Sequence, residues 1–136
     1  MPARELRPLP VAECIHLLHS IPIGRVIYTE GALPAVLPVR FTLSDGRIVV
    51  RCARDRSVER LDRAMVGFEV DRIDADSGTG WSILVLGEAL VVGPERIAEV
   101  AGRPIPLPPD SGDAFLVIDI EHVAGRRHGP KVPADR

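Results

Sequence analysis

Three arginines, Arg51, Arg54 and Arg56, fall within six positions and run into Ser57, where a short helical pattern begins. Guanidinium groups are planar, permanently charged and suited to two-pronged contact with phosphate oxygens. A helix start adds unsatisfied N–H groups and the positive end of the helix dipole, so an anion is welcome there. The same residues fit a plain solvated turn in which Ser57 caps its helix. Residue types alone leave both readings open.

Other reactive side chains form weaker patterns. Cys52 stands beside Arg51, a setting that can activate a thiol, although a small buried thiol is the commoner case. His16 and His19 are three apart on a helical segment, with no third ligand in view, so a metal site is not expected. Glu69, Asp71, Asp74 and Asp76 are an acidic cluster without EF-hand spacing. Alternation puts the first two on the solvent side of a strand, where a solvated face explains them. No G-x-S-x-G, P-loop or G-x-G-x-x-G occurs, so hydrolase, nucleoside-triphosphate and Rossmann chemistry have no support.

Most of the elements that must hold these residues are strands. Val11, Cys14, Ile15 and Leu18 recur at helical spacing after Pro10 and predict a short amphipathic helix. Strands are expected at 25–29, 33–41, 47–53, 65–73, 79–92 and 114–120, with small helices at 57–64 and 94–101. The second strand carries Pro34 and Pro38 on one side, so it must run at an edge, at a bulge or beside an incomplete ladder. Ser44-Asp45-Gly46 is a hairpin turn. The 79–92 strand is apolar on both faces (Trp81, Ile83, Val85 against Leu84, Leu86, Leu90), which requires cover from barrel closure or from a partner. Gly87 marks a bend or bulge within it. Four prolines between Gly102 and Asp113 predict an extended surface loop.

The chain is 136 residues long, 46% apolar and only 4% aromatic, so aliphatic side chains must build one core. About six strands with short helices predict a mainly β fold, a β-barrel in a single domain over 1–136, with loose ends at about 1–9 and 128–136. A net charge of −2 argues against nucleic acid as a partner. No apolar run approaches the length of a membrane span, so no membrane partner is expected. The opening MPARELRPLP lacks the apolar core of a signal peptide, and the two cysteines lie far apart. A reduced, cytoplasmic protein is the expectation.

Three stretches in order, GRVIYTEGALPAVLPVRF at 24–41, VVRCARDRSVERL at 49–61 and FEVDRIDADSGTGWSILVLGEA at 68–89, resemble the flavin-binding branch of the pyridoxamine 5′-phosphate oxidase-like family. HVAGRR at 122–127 is a weaker match to the family's closing segment. The resemblance implies an FMN-binding split barrel that forms a homodimer, with two flavin sites at the subunit interface. It implies that Val36, Pro38, Val39 and Arg40 lie near the isoalloxazine ring. Arg51, Cys52, Arg56 and Ser57 would hold the phosphate, and Trp81 and Ser82 would approach the flavin of the partner subunit. Members of the family commonly carry a lysine where this chain has Ser57, a lost charge that Arg54 and Arg56 would make good. The activity implied is an FMN-dependent oxidoreductase of unknown substrate, with reduced nicotinamide as a candidate electron donor and no assigned catalytic acid or base. Two alternatives are a non-catalytic module for flavin, deazaflavin or haem, and a structural dimer that has lost its cofactor.

Overall fold

The structure, a computed structural model, describes residues 4–108 and 111–130. Eight strands and three short helices follow in the order β1 (Arg4–Leu9), α1 (Val11–Leu18), β2 (Ile23–Glu30), β3 (Leu33–Ser44), β4 (Arg47–Ala53), α2 (Arg56–Glu59), β5 (Met65–Ile73), β6 (Gly80–Val92), α3 (Ile97–Ala101), β7 (Asp113–Asp119) and β8 (His122–Pro130). The strands lie in the order β1-β8-β6-β5-β2-β3-β4-β7, and a further β6–β7 pairing closes six of them into a barrel. Every pairing is antiparallel. The mainly β barrel expected from the strand spacing is therefore the fold observed. Among the described residues no helix is long and apolar enough to cross a membrane.

Two hairpin turns set the register beside the arginine cluster. Gly31 and Ala32 (φ 56° and 65°) join β2 to β3, and Asp45 and Gly46 (φ 54° and 75°) join β3 to β4. Two successive residues at positive φ match the right-handed twist of the flanking strands. Alternation then sorts side chains into two layers. Val26, Ile48, Val50, Phe68, Val70, Ile83 and Val85 fill the barrel, where the Phe41 and Phe68 rings meet edge to face at 4.8 Å. A second apolar cluster lies outside the barrel, where α3 and the proline-bearing segment cover Val49, Phe115 and Val117 of β4 and β7.

The longest strand is shared between two partners. Residues 80–86 of β6 pair with β8, whereas residues 89–92 pair with β7. Gly87 is the switch point. A Cβ there would lie 1.7 Å from the carbonyl oxygen of Asp119, so only glycine lets that backbone approach. The bend expected at Gly87 is thus a change of neighbour. Closure buries Trp81, Ile83, Val85 and Ala89, while Leu84 and Leu86 on the outer face stay 39% and 42% exposed.

The ends differ from the sequence reading. Arg4–Leu9, expected to be loose, forms β1 and pairs with residues 125–130 of β8. Thus 128–130 is strand as well, and 1–3 and 131–136 lie outside the described residues. Neither segment shows apolar alternation, because β1 and β8 are held by backbone pairing and by α1 packed on β8. Gly125 gives room to the Cys14 sulfur, and Arg127 pairs with Glu13 at 2.7 Å. The helices are shorter than expected: α2 is one turn, and α3 begins only at Ile97.

Gly87→Ala forces the Asp119 carbonyl away and opens the β6–β7 closure. The expected loss is roughly 3 kcal/mol or more, read as a fall in Tm on the order of 10 °C. Gly129→Ala meets nothing within 4 Å and should leave Tm nearly unchanged. Equal Tm values for both variants would remove Gly87 from this role.

Candidate functional site

A cleft opens where β3 and β4 part. The two strands pair only over residues 41–44 and 47–50, and the reason is in the β3 backbone. The Phe41 amide donates to the Pro22 carbonyl at 3.0 Å, so odd-numbered amides of β3 point toward β2. The even-numbered positions 34, 36, 38 and 40 face the β4 side. Pro34 and Pro38 have no N–H to give there, which removes two of the four donors a continuing ladder would use. The edge expected from the two prolines is this one.

The divergence leaves a cleft of about 350 Å³ that reaches from Pro38, Val39 and Arg40 across to Arg51 and Cys52, and on to Asp55 and Val58 at α2. It continues past Arg51 into a groove of about 480 Å³ between β3, β4 and β7, walled by Ile105. Five of the residues expected at a cofactor, Pro38, Val39, Arg40, Arg51 and Cys52, thus line one cleft. Arg56 and Ser57 stand on α2 at its end. Val36 is not in its lining, and its side chain is 56% exposed on the outer face of β3.

The charges are more balanced than the arginine count implies. Arg51 donates from Nε to Asp113 at 2.7 Å, and Arg54 to Glu59 at 2.5 Å. The helix cap is Asp55, whose carboxylate accepts from the Val58 amide at 2.9 Å. Ser57 therefore does not cap α2; its hydroxyl donates to Glu30 at 3.3 Å. Asp55 precedes the turn with an extended backbone, the conformation an N-cap needs. Arg54 is paired with Glu59, as Arg51 is with Asp113, in an exposed ion pair. Arg40 and Arg56 have no ion-pair partner among the described residues.

Cys52 is an ordinary thiol. Burial, followed by the nearby Asp113 and Asp55 carboxylates, pushes it up to about 11. Its sulfur sits 3.8 Å from the Ala114 carbonyl. It stays protonated at neutral pH, which removes a nucleophilic role.

Trp81 and Ser82 are on β6, away from the cleft within one chain. Trp81 is buried inside the barrel. Ser82 bonds to His128 at 2.7 Å and borders the outer face with Arg126. No cluster of three or more metal-ligating side chains occurs among the described residues. Asp74 is a loop residue; bonds from Ser77 and Asp76 hold its carboxyl below the usual range. Glu69 and Asp71, expected to be simply solvated, share the Arg25 guanidinium at 2.7 and 3.0 Å. Burial and the Asp71 carboxyl push Glu69 up to about 7 against the pull of Arg25.

Among the lining residues that sequence reasoning did not place at the site, three matter for its charge and shape. Asp113 lies 62 positions from its partner Arg51, and nothing local announces it. Asp55 was legible as an acidic residue just before a helical turn. Ile105 was legible too, as one of two aliphatic residues set between prolines.

A family model described as pyridoxamine 5′-phosphate oxidase matches residues 10–127. The uncharacterized protein Rv0080 of Mycobacterium tuberculosis is 35% identical over 132 residues, spanning 92% of this chain and 87% of its own length. Among solved structures, a conserved protein of unknown function from Corynebacterium diphtheriae is 29% identical, with a TM-score of 0.71 over 90% of this chain and 97% of its own. The FAD binding protein from Mycobacterium smegmatis has a TM-score of 0.69 at 23% identity, over 90% of this chain and 98% of its own. That last likeness is one of fold.

The carboxyl pair on the sheet face makes stability depend on pH. Glu69 is raised from 4.5 to about 7, so between those values the folded chain holds a proton that the unfolded chain has lost. Stability therefore declines as pH rises through this window. Denaturant midpoints for the wild type should fall from pH 4.5 to 7, and Glu69→Gln should flatten that slope. The same slope in both proteins would show that Glu69 titrates normally.

Proposed function

Because this chain belongs to the pyridoxamine 5′-phosphate oxidase family, we propose that it binds a flavin phosphate, FMN, in the cleft between β3 and β4 and works as an oxidoreductase. The observation that carries this reading is the unladdered edge of β3. Of the even-numbered positions that face the β4 side, Pro38 and Arg40 turn their carbonyls, and Arg40 its N–H, toward the cleft, with no paired strand to satisfy them. A flavin ring has an edge of alternating acceptors and a donor, and main-chain groups of both kinds suit it. Buried polar groups need such partners. Pro38 and Val39 offer apolar contact to the ring.

Arg51 and Arg56 take the phosphate. Arg51 leaves Asp113 at little expense, since its side chain is 49% exposed and exposed ion pairs contribute little. The bound flavin supplies hydride or electron transfer, and the protein supplies position, electrostatics and exclusion of water. Cys52, held neutral, adds neither charge nor a competing nucleophile. A reduced nicotinamide is the proposed electron donor.

A homodimer completes the site. Leu84 and Leu86 on the outer face of β6, beside Gly67 and Ile27, form an apolar strip that a second copy would cover. Of the two residues expected to reach across, Ser82 borders that face, whereas Trp81 acts as its support from inside. Cys14 and Cys52 are free thiols, which suits the cytoplasm.

One observation favours a second reading. The anion position at α2 already holds the Asp55 carboxylate, Ser57 is turned to Glu30, and two of the three arginines have acidic partners. A dimer with weak or no flavin phosphate affinity, or a module for another cofactor such as a deazaflavin or haem, would carry these features.

The absorbance of the purified protein tests the cofactor class: oxidised flavin absorbs near ~450 nm, and haem and deazaflavin have different spectra. Titration then tests the phosphate. A bond to a charged group predicts that Arg51→Ala or Arg56→Ala weakens FMN by roughly 10- to 150-fold. Riboflavin, which lacks the phosphate, should bind the wild type poorly and hardly notice either change. Ser57→Lys should tighten FMN. Equal losses for both ligands would assign the arginines to the fold. Sedimentation equilibrium should give a dimer mass at micromolar concentration, and a clean monomer would overturn the shared site.

A further inference from the structure

We propose that the groove beyond Arg51 is a substrate compartment for a small organic anion with an apolar body, with the proline-bearing segment as its specificity wall. The proposal rests on the flavin reading for its neighbour: the groove shares Arg40, Arg51, Cys52 and Ala53 with the cleft, while its floor and wall, Val49, Phe115 and Ile105, are its own. Its floor is apolar: Val49 and Phe115 are 4% and 1% exposed and belong to the outer cluster. Its mouth is cationic. Arg40 has no ion-pair partner among the described residues, and Arg51 is the other guanidinium in the lining. Asp113 is the acidic residue of the lining; Arg51 engages it while the cleft is empty, and Arg40 is the cation left to the groove when FMN takes Arg51. An apolar slot with an unpaired guanidinium at its mouth selects a carboxylate or phosphate on a hydrophobic skeleton. At about 480 Å³ the groove has the volume of a small-molecule site.

The wall is built rather than incidental. Between Gly102 and Pro108, prolines alternate with Ile105 and Leu107; the aliphatic pair is half-buried against the outer cluster, and the prolines face solvent. Proline fixes its own φ and restricts the preceding residue, so this wall loses little entropy when a ligand arrives. Its near end is pinned. Ser44 donates to the Ala101 carbonyl at 2.6 Å, and Arg103 donates to Ser44 at 3.1 Å. Arg47 bonds to the Val100 carbonyl one residue earlier. Ile105 thus stands at a set height over the groove, and its size decides which skeletons enter.

Calorimetry with cinnamate and its neutral isostere cinnamamide tests this, on protein with and without FMN. Cinnamate should bind roughly tenfold or more tightly than the amide. Ile105→Asp places a like charge in the wall and should weaken cinnamate by at least about tenfold, while FMN affinity stays unchanged. Ile105→Ala, which keeps the segment apolar, should weaken both probes alike. Equal affinity of the wild type for acid and amide would overturn the proposal. So would competition by FAD but not FMN, which would give the groove to the adenosine half of the larger flavin. Ile105→Asp sedimenting as a monomer without any effect on cinnamate would give the groove to a second copy, and would overturn it too. Failure of FMN to bind while cinnamate still does would sink the flavin reading and leave this one standing.

Discussion

Hydrogen bonding along β3 is the constraint on which the rest of the molecule turns. At Phe41 the strand changes partners: residues 33–40 pair with β2 and residues 41–44 with β4, and Phe41 also bonds to the Pro22 carbonyl just before β2. Before Phe41 it is satisfied on one side, because two of the four positions facing β4 carry proline. β4 follows β3 for only four pairs, while it stays paired with β7 along its whole length. The cleft, the separation of Arg40 from Arg51 and the position of α2 all follow from that divergence.

Closure is recovered at the opposite wall. There β6 serves β8 with its first half and β7 with its last, and Gly87 admits the Asp119 carbonyl at the exchange. One glycine and two prolines therefore act as a pair of complementary defects. The prolines open a six-stranded barrel on one side, and the glycine lets a strand change neighbours on the other. Both faces of β4 and β7 are then in use: one fills the barrel, and the other carries the outer cluster beneath α3 and the proline-bearing segment.

Much of this was legible because it is local. The period of Val11 to Leu18, the turn at Asp45-Gly46 and the strand limits at 47–53 and 65–73 come from residues within a few positions of one another. The proline spacing in β3 even foretold the side that stays unpaired. What was not legible depends on distant partners. β1 is a polar strand that rests on pairing with β8 across more than a hundred residues, and β8, itself polar, is held between β1 and β6, with α1 laid over Gly125. The arginine cluster reads as a strong cation until Asp113 and Glu59 are brought to it, and the former comes from far along the chain. Ser57 looks like a cap until Asp55, two residues earlier, takes that place.

The prolines on exposed edges also bear on how the chain behaves among other copies of itself. An open strand edge is a template for strand addition, and a β-rich chain with several aliphatic strands is at risk of growing into an aggregate. Here the outermost strand β1 carries Pro8, with Arg7 beside it, and the open half of β3 carries Pro34 and Pro38. The open half of β3 thereby lacks two of the four donors on its free side, and β1 carries one proline. The prolines that hold the cleft open therefore also work against strand addition, so that one sequence device shapes a cavity and discourages polymerisation.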